Sequence, residues 1–415
     1  MYVPFAVTDL KRHLGLTEGK ARIFHTWVQV PEIEAAIADR LHSDTVTLPR
    51  YRMSLGIPNV EFKPWSFVDG TEFLVPVGFN PTKNELGDFE WHENGIKIAE
   101  APGEGTHGFA LRHHPLQNAT TTKEIDDWFD NYDGNFMGRI TVTDEELVWA
   151  KAFAKNLRET TDKAIVSDYI FTVLDHAQGI VGWDTIYMPV LTEPKLAHHF
   201  FDRLVHEEIT GLKRYLKAVG EYIDVIMYAD DIGHQRGPMM KLNLFHEFLL
   251  PKHKIFCETV HENSNAAVLY HTDGSVIEFL PDLIDIGVDC FNTVQTDAAN
   301  MDAMELKRRF GKNLTFWGGG VDTHRILPMG TPEQVREDVR RRIQIFGPGG
   351  GYVFNSIHNI LGDVPPENIL AAVDAVVEFG QYPLQTDSEE REALARYLTE
   401  INYWTKPLEA LKAGN

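Results

Sequence analysis

From about residue 145 to residue 380 the chain alternates short apolar runs with longer stretches whose apolar positions recur three and four apart. The longer stretches put their apolar side chains on one face of a helix, and the short runs suit strands buried on both faces. TDEELVWAKAFAKNLRETTDK predicts a helix opened by a capping box, Thr143 with Glu146 three positions on. AIVSDYIF then predicts a strand. Residues 194–221 are helical by spacing and 221–228 form the next strand. Residues 238–263 are helical with a break at Pro251, and lead to the strand 266–271. Helix 281–287 precedes strand 288–294, and helix 301–311 precedes the strand in NLTFWGGG. A helix capped by Thr331, with Pro332 at its first position, precedes strand 351–358. Helix 365–380 closes the series. DTVTLP near residue 45 is a further strand candidate.

Strands that alternate with helices pair in parallel through right-handed crossovers. Seven or eight such units predict an α/β fold of the closed kind, a (β/α)8 TIM barrel. An open doubly wound sheet would carry a glycine-rich phosphate loop after its first strand. Neither the glycines at 318–320 nor GPGGG at 347–351 fits such a loop, and both read as tight turns. Residues 52–115 follow another pattern, with Gly, Pro and aromatic residues in short alternating runs and a hairpin step at Asn94-Gly95. They are expected to be a small β-rich insertion in a single domain spanning 1–415, whose βα body is 145–380.

Composition narrows the class. Hydrophobic residues at 43% and charged residues at 24% are ordinary for a globular chain and exclude a coiled coil or a disordered one. Against 39 Lys and Arg stand 61 Asp and Glu, for a net charge of −22, so nucleic acid and anionic membranes are not expected partners. No apolar run reaches the roughly 18 residues of a spanning helix, and the first residues lack a signal-peptide pattern. The two cysteines, Cys257 and Cys290, form no CxxC; a cytoplasmic location is expected.

In a βα barrel the active site lies at the C-terminal strand ends. Five successive ends here carry polar groups: Asp230 and Asp231, then His271 and Asp273, then Asn292 and Gln295, then Asp322 after the glycines, then Asn355 and His358. His271 and Asp273, two apart, point the same way if the strand continues. With His358 they make a three-ligand set with an open fourth position, suited to zinc or to non-haem iron. A strand-end histidine also serves as a hydrogen-bonded structural residue. Asp230, Asp231 and Asp322 are candidates for a general base or for helix caps. Tyr228 and Trp317 could wall an apolar pocket or belong to the core. The run Arg340-Arg341-Arg342 reads as a solvated helix face with local acidic partners.

The blocks YADDIG, YHTDGSVIEFLPDLIDIGVDCFNTVQ, LTFWGGGVDT and PEQVREDVRRRIQIFGPGGGYVFNSIHNI, in this order and spacing, resemble the uroporphyrinogen decarboxylase superfamily over most of residues 160–380. The resemblance implies a distorted barrel. It also implies one of two chemistries: cofactor-independent decarboxylation of uroporphyrinogen, or zinc-dependent methyl transfer to or from a corrinoid protein. The decarboxylases clamp their substrate's carboxylates with an arginine-rich N-terminal signature that KARIFHTWVQVPEIEAAIADRL lacks. The corrinoid-linked methyltransferases hold zinc with a HxC pair and a later Cys. His271 and Asp273 fall on the HxC positions and His358 on or near the final Cys. These harder ligands leave zinc more Lewis acidic than thiolates do, which suits an ether oxygen better than a thiol. The expectation is an O-demethylase methyltransferase component. Zinc would sit on His271, Asp273 and His358, a corrinoid protein would be the partner, Asp230 or Asp231 would hold or protonate the leaving oxygen, and Asp322 is a further catalytic candidate. Tyr228, Trp317, Asn292 and Asn355 would line the substrate. A decarboxylase of a polycarboxylate is the alternative.

Overall fold

The structure is a computed structural model; it describes residues 4–384 apart from 17–18, 53, 67–70, 104–107, 132–140 and 170. Parts of the predicted 52–115 segment, and the chain beyond 384, therefore lie outside the described residues. Seven strands form one sheet: β1 (Thr45–Leu48), β2 (Ala164–Asp168), β3 (Val225–Ala229), β4 (Ala267–His271), β5 (Cys290–Asn292), β6 (Thr315–Trp317) and β7 (Tyr352–Val353). Each pairs in parallel with its neighbour in sequence, so spatial order equals chain order, as the wall of a barrel requires. The curled sheet with its ring of helices is TIM-barrel-like. Among the described residues no strand joins β7 to β1. Across that seam Arg40 makes a two-pronged ion pair with Asp374 (2.9 and 3.2 Å).

Side chains on a strand alternate between its two faces. Val225, Leu269 and Cys290, with Val166, Met227, Ala267 and Trp317, pack together as the barrel interior. The intervening residues, Ile226, Tyr228, Val268, Tyr270, Phe291 and Phe316, face the helices and are fully buried. Phe171, Tyr228 and Phe256 cluster in that outer layer, with ring centroids 4.4–6.0 Å apart.

Three local readings change. Thr143 caps its helix through the Glu146 N–H (3.2 Å), but the Glu146 side chain turns away from the cap to a buried ion pair with Arg50 at 3.2 Å. Pro251 does not break its helix. Phe245–Leu249 form a π turn that runs on into Leu250–Asn263, and Pro251, which has no N–H to donate, falls where the π turn passes into the α-helix. Arg342 is not solvated. It is 2% exposed, pairs with Asp338 at 3.0 Å and donates to the Gly319 carbonyl at 2.8 Å. Thr331 and Gln334 do form the expected capping box.

Antiparallel strands occupy the stretch from Phe62 to Leu111: a pair (Phe62–Ser66 with Glu72–Pro76) and a sheet of four. Asn94 and Gly95 both have positive φ, as the hairpin between Phe89–Glu93 and Ile96–Ala101 needs. Among the described residues no helix is long and apolar enough to cross a membrane.

Candidate metal centre

β4 ends on its inward-facing residue, His271, in line with Ala267 and Leu269. Two residues on, Asp273 keeps the same heading, and His358 arrives from the segment after β7. One ligand atom from each of the three lies within 4.8 Å of the others. The His358 Nε2 stands 3.6 Å from an Asp273 carboxylate oxygen, and the two imidazole centroids are 6.1 Å apart. A tetrahedral ion about 2.1 Å from each ligand needs ligand atoms about 3.4 Å apart, and the His358–Asp273 separation of 3.6 Å is close to that spacing.

Hydrogen bonds behind the triad decide its protonation. Asn292 donates its amide N–H to the Trp317 carbonyl (2.6 Å), which can only accept. Its Oδ1 therefore faces His271 Nδ1, at 2.6 Å, and Nδ1 must carry the proton. In the neutral ring that leaves the Nε2 lone pair for a cation, the arrangement that metal-binding histidines use. Thr293 donates to one Asp273 oxygen at 3.0 Å and leaves the other turned to His358. His358 is open over 47% of its side chain, yet the protein atoms around it lower its pKa against the pull of Asp273, which favours the neutral ring that a metal ion needs. The donor set fits zinc.

Carboxylates continue the site inward. The Asp273 N–H donates to Asp231 at 3.0 Å, and the Asp231 N–H donates to Asp175. Burial raises the Asp231 carboxyl, Asp273 adds to the rise, and His271 and His358 oppose it. Asp175 is raised further by burial and by the charges of Asp230 and Asp231.

Other expected residues are placed elsewhere. Asp230 is 0% exposed; its carboxylate accepts the N–H groups of Val173, Leu174 and Asp175 (2.8–3.2 Å) and so caps the helix Leu174–Val181. Asp322 caps the turn into Ile326–Met329 and pairs with Arg325 at 2.8 Å. Tyr228 is on the outer face, one residue out of phase with the barrel interior, its hydroxyl 3.8 Å from Cys257 Sγ. Trp317 does face inward. Asn355 is half-buried beside Gly320, whose N–H donates to its carbonyl at 2.9 Å. The glycines serve close approach: a Cβ on Gly318 would stand 2.1 Å from the Thr293 carbonyl oxygen. Asp175 and Thr293 went unread in the sequence. Asp175 sits in the first turn of a short helix, and the signal was its place just past β2.

Residues 174–379 match the sequence model of the family described as uroporphyrinogen decarboxylase (URO-D). The uroporphyrinogen decarboxylase of Pseudoalteromonas translucida is 29% identical over 191 residues, 45% of this chain and 49% of that protein. The one from Vibrio campbellii is 30% identical over 193 residues, 46% of this chain and 50% of that protein. The chain thus spans about half the length of the curated relatives it matches. A methyltransferase from Methanosarcina mazei shares the fold, with a TM-score of 0.52 and 16% identity over 92% of this chain and 100% of that one. Over its βα body, residues 174–379, the chain is thus similar to the uroporphyrinogen decarboxylase family, and over nearly its whole length it shares the fold of that methyltransferase.

Proposed function

We propose that the chain is a zinc-dependent methyltransferase that takes the methyl group from a small O-methyl aromatic ether and delivers it to a corrinoid protein. The observation that carries this reading is the His271–Asp273–His358 set with its locked His271 tautomer. Zinc bound there supplies Lewis acidity to the ether oxygen, and the partner's corrinoid supplies the acceptor for the methyl group. The chain's own residues do the rest. His271 and His358 offer neutral nitrogens and Asp273 one carboxylate oxygen. Trp317, which packs in the barrel interior, is assigned to wall the substrate with its apolar face. Asp231, its pKa raised, is placed to hold a proton for the departing aryl oxygen, and Asp175 behind it holds another in reserve. Asp230 and Asp322 act at a distance by fixing the loops that present these groups. The strands of residues 62–111 are assigned to covering the barrel mouth or docking the corrinoid protein.

A second reading, decarboxylation of a polycarboxylate, draws support from the names of the curated relatives. It fits the residues less well. A polyanionic substrate wants cations at the mouth, and the strand ends gathered here are carboxylates and imidazoles. The test is turnover: the purified chain with a methoxy-aromatic and a cobalt(I) corrinoid, followed by the corrinoid's absorbance. Methylation lost in His271→Ala supports the proposal. Release of carbon dioxide from uroporphyrinogen, with no methyl transfer from any ether, would replace it with the second reading.

A further inference from the structure

The loop that follows β3 makes a short hairpin, Gly233–His234 paired with Gly237–Pro238, with Gln235 and Arg236 at its tip. This hairpin lies against the turn that carries Asp273. The His234 carbonyl accepts the Ser275 N–H at 2.9 Å. The backbones are so close that a Cβ on Gly233 would stand 2.7 Å from the Asp273 carbonyl oxygen, and one on Gly274 would stand 2.5 Å from the His234 nitrogen. The Gln235 carbonyl accepts the Ala299 N–H at 2.9 Å, which ties the tip to the loop after β5. The hairpin is thus held on two sides, at the end of the barrel where the metal set lies.

The side chains of this tip offer donors. His234 and Arg236 are exposed, and a Cβ on Gly237 would meet nothing within 4 Å. The Arg236 N–H donates to Nδ1 of His234 at 3.3 Å, so in the neutral ring Nε2 carries the hydrogen and is a donor. Among the described residues every other arginine lies within 4.0 Å of a carboxylate oxygen, and Arg236 has no such partner. In a chain of net charge −22, an arginine left without an acid beside the metal set marks a place for an anion that the chain does not itself supply.

We propose that Arg236, with His234 beside it, holds a carboxylate on the substrate, so that the ether is a methoxybenzoate; this rests on the methyl-transfer reading above. The ring carries its two functions at opposite ends. The carboxylate meets the guanidinium, whose planar fork matches it with two parallel hydrogen bonds, and the methoxy oxygen points to His271, Asp273 and His358. Other ligands fit less well. A phosphate brings a second negative charge toward Asp231 and Asp273. A polycarboxylate has several charges for this one fork. A neutral methoxybenzene leaves the fork empty.

The experiment is a ligand-observed NMR titration of the full, zinc-loaded chain with 4-methoxybenzoate and with methoxybenzene, the same ether without the charge. The expected result is saturable binding of 4-methoxybenzoate, about tenfold tighter than methoxybenzene, the worth of one charge-assisted pair. Added salt weakens the benzoate and not the neutral ether. Arg236→Gln brings the benzoate to the level of methoxybenzene and leaves methoxybenzene unchanged, Arg236→Lys restores part of the gap, and inorganic phosphate at equal concentration does not displace the benzoate. Equal affinity for the two ethers, a gap that survives in Arg236→Gln, or displacement by phosphate would each overturn the proposal. Turnover with a cobalt(I) corrinoid separates the clamp from the reaction. Methyl transfer from both ethers with equal kcat/KM would remove the clamp and keep the methyltransferase. Methyl transfer from neither, with the gap in affinity present and abolished in Arg236→Gln, would keep the carboxylate clamp and remove the methyltransferase.

Discussion

Asp230 and Asp231 are neighbours in sequence and belong to different worlds. Asp230 follows the outer phase of β3, the phase of Ile226 and Tyr228, and ends with no exposure, its oxygens used up by three backbone N–H groups. Asp231 follows the inner phase, with Met227 and Ala229, and ends half-buried beside His271 and Asp273. The same split separates Tyr270, whose hydroxyl donates to the Asp230 carbonyl at 2.9 Å, from His271 in the candidate metal set. On β3 and β4 a step of one residue exchanges chemistry for architecture. Each face holds acids and imidazoles; the inner ones are paired through hydrogen bonds that leave an atom free, and the outer ones are closed off.

Mutation should expose that contrast most strongly at the adjacent pair. Asp230→Ala strands buried N–H groups at the start of a helix and should lower unfolding stability by about 3 kcal/mol. Asp231→Ala should cost less than about 1 kcal/mol and instead lower methyl-transfer turnover, by about tenfold or more. Denaturant melts and turnover of both variants check this. Equal losses of stability would erase the distinction between the faces.

The outer face also makes a pH prediction. His253 is 0% exposed, with Nε2 3.4 Å from an Asp230 oxygen, and burial drives its pKa down from 6.5 to about 3. Below pH 6.5 the unfolded chain takes up a proton that the folded chain refuses until about pH 3. The stability this neutral imidazole contributes is therefore complete above pH 6.5 and is lost as pH falls toward 3, on the order of 4 kcal/mol. His253→Leu should flatten that limb of the stability curve. An acid limb unchanged in the variant would show that another group carries it.

A smaller effect falls on the inner face. Asn292→Ala removes the acceptor that fixes the His271 tautomer. Metal affinity should drop about 10–100-fold, the usual cost of losing such a partner, with stability changed by less than about 1 kcal/mol. Competition with a coloured chelator reads this out. An unchanged affinity would mean that the His271 tautomer is set by other means.

Much of this was legible before the structure. The period of the apolar pattern located six of the seven sheet strands and their helices, and DTVTLP supplied the seventh. The HxD spacing and the later His358 were enough to name the set that folding brings within 4.8 Å. What the sequence hid was phase. Tyr228 and Asp230 look as available as Asp231 until the strand's inner face is known, because a run buried on both faces has no polar alternation to mark it. It also hid long-range partners. Nothing local tells that Glu146 leaves its cap for Arg50, 96 residues away, or that Arg342 folds back to hold the Gly319 carbonyl while its neighbours Arg340 and Arg341 pair with Glu337 on the same helix.

The central claim is that the inner face holds a metal ion, and elemental analysis tests it most directly. The chain, His271→Ala and His358→Ala would be purified side by side and loaded with zinc under one protocol. The account predicts close to one zinc per chain in the parent and almost none in either variant, with all three folded by circular dichroism. A parent that carries no zinc, or variants that retain it, would contradict the account.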